Sequence, residues 1–213
     1  MVVDTELKYK PKSLSEFVFA DSELEDAILS YTSGGVTRPL ILCGEPGTGK
    51  TLLAHLLPSA IEGFPAMVNK VKAEDLNSAK AVLAEYNTTK AFNDLFKVNN
   101  QRFNYKIIEE VNSAGKASNA FRVALDESRG MDLTIMTSNN PMKIDAAVRS
   151  RCEVVEVQAC APEVFLPRAK SIMNSEGCNI DDAILMVMLK KVYQPPYGNR
   201  EYYKLLDKLL RKF

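Results

Sequence analysis

The chain has 213 residues, 46% hydrophobic and 25% charged, and its 27 basic side chains balance 27 acidic ones. That length holds one sizeable α/β domain or a core with a small appendage, and a net charge of zero leaves only local patches to attract nucleic acid. No apolar run approaches a membrane span, the N-terminus lacks a basic stretch followed by an apolar one, and four scattered cysteines with one histidine argue for reduced thiols in the cytoplasm and against a zinc site.

In chain order, Lys8 to Ser13 reads as an extended arm leading into a capped helix over Ser22–Leu29, which Ser33-Gly34-Gly35 breaks. Leu40–Cys43 is a short buried strand. Thr51–Leu57 opens an apolar-faced helix that Pro58 is expected to kink or end, because a backbone donor is missing there. Strands are expected at Ala66–Val71, Phe103–Ile108, Leu133–Thr137 and Val154–Val157, with helices at Leu76–Tyr86 and Ser118–Ser128. Such alternation implies a mostly parallel sheet covered on both faces. From Ala161-Pro162 onward only helical segments follow: Glu163–Glu176, Asp181–Tyr193 and Asn199 to the C-terminus. Residues 161–213 carry nine Lys/Arg against six Asp/Glu, so this end is mildly basic. The expected division is a core over 1–160 and a three-helix lid over 161–213.

Between the first strand and its helix lies Gly44-Glu45-Pro46-Gly47-Thr48-Gly49-Lys50-Thr51, a complete G-x-x-x-x-G-K-[ST] phosphate-binding loop. Glycines let successive N–H groups turn inward around a phosphate, and the helix N-terminus adds partial positive charge. Lys50 reaches the outer phosphates and the Thr51 hydroxyl is a Mg²⁺ ligand; Leu52 follows as a further nucleotide contact. The pattern implies binding of a nucleoside triphosphate.

Ligands of open parallel sheets sit beyond the carboxyl ends of the strands, and two further motifs fall there. The strand Ile107-Ile108 delivers Glu109, placed to hold the metal through water, and Glu110, placed to take a proton from an attacking water. Thr137-Ser138-Asn139-Asn140 offers an amide that can orient that water, although an Asn-rich turn before Pro141 is the simpler explanation of this stretch taken alone. His55 is expected to pack or face solvent, and the cysteines to have no chemistry.

On these residues the chain resembles the AAA+ ATPases, most closely the small subunits of sliding-clamp loaders of the replication factor C and bacteriophage type. Lys8-Tyr9-Lys10-Pro11-Lys12-Ser13-Leu14 is similar to the arm lining the adenine pocket, which implies nucleotide contacts from Tyr9, Pro11 and, further on, Val18. Glu109-Glu110 stands in place of the family's Asp-Glu pair. Asn139 matches sensor 1, eleven residues before the Ser150-Arg151-Cys152 motif, whose arginine is the finger offered to a neighbouring subunit. Gly198-Asn199-Arg200 is similar to the sensor 2 region. The resemblance runs roughly from Leu7 to Phe213 and implies an α/β P-loop NTPase sandwich with a helical lid. It further implies ATP and Mg²⁺ as ligands, and homo- or hetero-oligomers built through ATP interfaces. A sliding clamp and DNA are the partners it suggests, with no membrane.

Two departures stand out. Glu109 is one methylene longer than the usual aspartate, roughly 1.5 Å, so turnover is expected to be slower than binding suggests. The chain also stops where clamp-loader subunits continue into a helical collar. Arg149 and Arg151 could instead pair with surface carboxylates. Lys80, Lys90, Lys97, Arg102, Lys116 and Arg122 are candidates for a DNA-tracking surface or simply solubilising charges. Alternative functions are a helicase-loader or initiator-type AAA+ protein, and an ATP-gated assembly subunit that hydrolyses weakly.

Overall fold

A computed structural model describes residues 4–96, 100–111, 117–193 and 198–212, with backbone alone over 89–96. The helices are α1 (Thr5–Lys8), α2 (Ser22–Thr32), α3 (Lys50–Glu62), α4 (Ala79–Phe96), α5 (Ser118–Glu127), α6 (Ala146–Arg149), α7 (Pro162–Ser175), α8 (Asp182–Val192) and α9 (Arg200–Leu210). The strands are β1 (Leu40–Cys43), β2 (Val68–Lys72), β3 (Asn104–Glu109), β4 (Asp132–Ser138) and β5 (Glu153–Glu156). The chain forms two compact units. One comprises residues 26–44 and 50–156; the other comprises residues 1–25, 45–49 and 157–213.

The first unit holds the sheet, in the order β2-β3-β4-β1-β5, with every neighbouring pair parallel. Parallel sheets need cover on both faces, so their central strands read as continuous apolar runs. Leu40, Ile41, Leu42, Ile107, Ile108, Ile135 and Met136 are accordingly all at 0% exposure. Successive strand residues point to opposite faces. Ile41, Cys43, Ile108 and Met136 share one cluster with Val82 and Tyr86 of α4 and with Ala120, Phe121 and Leu125 of α5. Helix α3 packs on β1, β3 and β4. Lys106, buried within β3, pairs with Glu85 at 3.0 Å and lies over the Tyr86 ring.

Two local expectations shift. Pro58 does not end its helix: α3 runs on to Glu62, with Leu57, Pro58 and Ile61 all buried. Apolar burial on that face outweighs one lost backbone bond. The helix expected from Leu76 begins at Ala79, after a 3₁₀ turn over Ala73–Leu76, and continues to Phe96.

The second unit is helical. Phe165, Ala169 and Ile172 of α7, Leu185 and Leu189 of α8, and Tyr202 and Leu206 of α9 form its core, and the Phe165 and Tyr202 rings stack at 4.6 Å. The N-terminal arm belongs to this unit. Asp4 caps α1 by accepting from the Leu7 amide at 3.0 Å. The Thr5 amide donates to Asp207 Oδ1 of α9 at 2.9 Å, and the Arg168 guanidinium of α7 donates to the Tyr9 carbonyl.

Candidate functional site

Within the helical unit the loop segment Glu45–Gly49 is held by the start of α9. Gly47 and Gly49 adopt φ of 84° and 106°, the left-handed region open to glycine. Gly198 approaches so closely that a Cβ there would lie 2.2 Å from the Gly47 carbonyl carbon and 2.4 Å from its oxygen. Only glycine fits. Asn199 then bridges, its Oδ1 accepting from the Cys160 amide at 2.8 Å and its Nδ2 donating to the Thr48 carbonyl at 3.4 Å. Arg200, the next residue, donates from Nε to Glu6 Oε1 at 3.1 Å. The structure therefore brings together Glu45, Pro46, Gly47, Thr48, Gly49 and Arg200.

Tyr9 is half-buried and its hydroxyl donates to Glu176 at 2.7 Å, an oxygen shared with Lys8 Nζ at 2.5 Å. These two donors, Lys8 foremost, hold the Glu176 carboxyl below its usual range, while burial chiefly raises the Tyr9 phenol. Pro11 is buried, and Val18 is partly buried with its carbonyl accepting from Cys160 Sγ at 3.4 Å.

Within the sheet unit, Lys50 opens α3 at 7% exposure, and its ammonium donates to the Gly44 carbonyl at 2.8 Å. Thr51 is exposed on the first turn, with Leu52 partly buried beside it. Register levels the strand ends: Cys43 pairs with Ser138, and Ile108 with Met136. Glu109, Glu110 and Asn139 consequently stand at one end of the sheet. Glu110 has φ of 60°, the one non-glycine residue with positive φ among those described. Its amide donates to Thr137 Oγ1 at 3.1 Å, and the following Val111 amide donates to the Thr137 carbonyl at 2.8 Å. Glu110 and Asn139 are exposed. His55 is not an idle surface residue: its Nε2 lies 2.8 Å from Glu109 Oε1. The signal available in the sequence was its spacing, four residues after Thr51 on one helix face.

No group of three His, Cys, Asp or Glu able to hold a metal ion occurs among the described residues. The donor set of one hydroxyl and one strand-end carboxylate fits Mg²⁺, which keeps several waters and is bound through few protein oxygens plus substrate phosphates.

Arg151 reaches both α5 and α6. It donates from Nε to Asp126 Oδ1 at 2.8 Å and from a terminal nitrogen to the Ala147 carbonyl at 2.7 Å. The guanidinium holds the Asp126 carboxyl below its ordinary range. Arg149 donates to the Pro141 carbonyl at 3.2 Å. Burial pushes the Cys152 and Cys160 thiols up to about 12 and about 11, which keeps them protonated and unreactive. Lys80, Arg102 and Arg122 are exposed, Lys97 and Lys116 lie outside the described residues, and the Lys90 side chain does too.

The profile of the ATPase family associated with various cellular activities (AAA) matches residues 40–158, more than half of the chain. The chain belongs to the AAA family. Among curated relatives it is 26% identical over 181 residues to the replication factor C small subunit of Staphylothermus marinus, covering 84% of this chain and 54% of that protein. The chain thus spans about half the length of the curated relatives it matches. Among solved structures, the AAA domain of FIGL-1 in complex with ADP superposes with a TM-score of 0.65 at 18% identity, covering 92% of this chain and 72% of that one. The Holliday junction branch migration motor RuvB of Thermotoga maritima gives 0.65 at 18% identity, covering 95% and 64%. Both carry the AAA fold of a P-loop ATPase. Among the described residues no helix of this AAA chain is long and apolar enough to cross a membrane.

Proposed function

We propose that this AAA chain binds ATP with Mg²⁺, hydrolyses it, and uses the cycle to assemble with neighbouring subunits and load or remodel a DNA-replication partner such as a sliding clamp. The observation that carries the reading is Glu110. A carboxylate at the end of a buried strand is kept at φ of 60° by the Thr137 bond, and such strain persists where surrounding structure over-determines it, typically at functional sites.

The roles follow from chemistry. The backbone N–H groups of the Gly44–Gly49 loop, all but that of Pro46, which has none, and the Lys50 ammonium grip the phosphates, with Pro46 shaping the loop and Tyr9, Pro11, Val18 and Leu52 contributing to nucleotide recognition. Lys50 exchanges its carbonyl partner for phosphate oxygen, a stronger charge-assisted bond. Thr51 and Glu109 would hold Mg²⁺, which supplies charge neutralisation when bound. Glu110 accepts the proton of the attacking water, which Asn139 orients. Arg200 reports nucleotide to the lid, taken as residues 161–213 with a nucleotide-binding core of 1–160, and Arg151 completes the site of a neighbouring subunit.

Mixing inactive variants tests this. Arg151→Ala and Lys50→Ala proteins should each be dead alone, and ATP hydrolysis should return on mixing, because Lys50→Ala subunits still lend Arg151 to intact sites. Arginine fingers are worth roughly 10³–10⁵ in rate, so the rescue is large. A mixture that stays dead beside active wild type removes Arg151 from the reaction.

A second reading keeps binding and reduces turnover: a nucleotide-gated assembly subunit. The glutamate at 109 favours it, and brisk wild-type hydrolysis would end it.

A further inference from the structure

His55 is the single histidine of the chain, and the proposed chemistry does not use it. It sits on α3 one helical turn beyond Thr51, on the same face. Its Nε2 is 2.8 Å from Glu109 Oε1, with the two side chains 23% and 30% exposed. An ionised carboxylate only accepts, so the imidazole N–H donates. Glu109 is the last residue of β3, where its backbone is fixed by pairing but its side chain has one more rotatable bond than an aspartate. The imidazole removes that freedom by engaging one carboxylate oxygen, and it leaves the other able to accept.

We infer that His55 is a positioning residue for Glu109: it tethers the longer carboxylate so that a glutamate can orient the water shell of a nucleotide-bound Mg²⁺. The inference rests on the proposed ATP·Mg²⁺ site. Helix α3 then serves that site twice, through Thr51 directly and through His55 by way of β3. A surface pair without this role would contribute little and would be indifferent to the length of the acid at 109.

The experiment is a Mg²⁺ titration of a fluorescent ATP analogue bound to wild type, His55→Ala, His55→Gln, Glu109→Asp and the double variant His55→Ala/Glu109→Asp. Mn²⁺ binding to the same complexes, followed by electron paramagnetic resonance, supplies a readout independent of turnover. Loss of a group that orients a metal ligand costs at least about tenfold in metal affinity, so His55→Ala should need roughly tenfold more Mg²⁺. Analogue affinity in the presence of chelator should be unchanged. His55→Gln, which keeps a donor near the Nε2 position, should recover most of the loss, and in the Glu109→Asp background His55→Ala should change little. An unchanged metal requirement in His55→Ala overturns the inference, as does an equal loss with aspartate at 109. Wild-type protein that binds no analogue at all overturns the parent reading instead, and the inference with it.

Discussion

At the carboxyl end of the sheet, Glu109, Glu110 and Asn139 stand where neighbouring strands stop in register, whereas in the helical unit Glu45–Gly49 is held by contacts that no periodicity announces. The first arrangement is set by hydrogen-bonded ladders, which fix which residue ends each strand. The second depends on Gly198 lying so near Gly47 that any side chain on it would clash with the Gly47 backbone, and on Asn199 finding the Thr48 carbonyl. Groups of the first kind tolerate change in their neighbours; groups of the second kind fail when one atom is added.

At the strand ends, Glu110→Gln gives the largest expected effect. Removing the proposed proton acceptor should lower hydrolysis by roughly 10²–10⁴ while ATP binding, read by calorimetry, stays intact. If turnover survives, the strand-end carboxylate is not the base. Lys50→Ala should weaken ATP binding by roughly 10- to 100-fold, as expected for charge-assisted bonds of about 1.5–3 kcal/mol, with little change in the melting of the sheet. On the helical side, Gly198→Ala forces a methyl group into the Gly47 backbone. Overpacking of this kind costs about 1–3 kcal/mol, or roughly 2–4 °C in Tm per kcal/mol. Thermal melting with and without nucleotide reads this, and unchanged melting would mean that the loop yields freely.

The smallest effect concerns acid. Glu176 has its pKa lowered by Lys8 and Tyr9, so its contribution is fully present above the ordinary carboxylate range. It is lost as pH falls through the lowered value. Titrating downward should release the arm, seen in the Tyr9 ring resonances, without disturbing sheet amides. Glu176→Gln should abolish that acid-side step, and its persistence would assign the step to another group.

Much of the architecture was legible because buried parallel strands must be apolar along their length: Leu40–Cys43 and Leu133–Thr137 announce themselves. Helix ends were less so. Pro58 argues locally for a break, yet Ile61 one turn later is buried, and packing prevails. At the candidate site, the phosphate loop and Glu109-Glu110 follow from motif and strand. The His55 bond needed two distant segments, 54 positions apart, to be known at once. The same is true of Asp126, found beside Arg151 from 25 positions away. Spacing places His55 on the Thr51 face of its helix, but only the fold names Glu109 and Asp126 as the partners of His55 and Arg151.

The conformation of Glu110 bears on how this protein responds to selection. Glycine or asparagine would occupy a φ of 60° with less penalty than glutamate. A laboratory screen for heat resistance alone should therefore drift toward those residues at 110 and return sturdier molecules that no longer turn over. A screen that demands activity should hold the glutamate and harvest its gains elsewhere in the sequence.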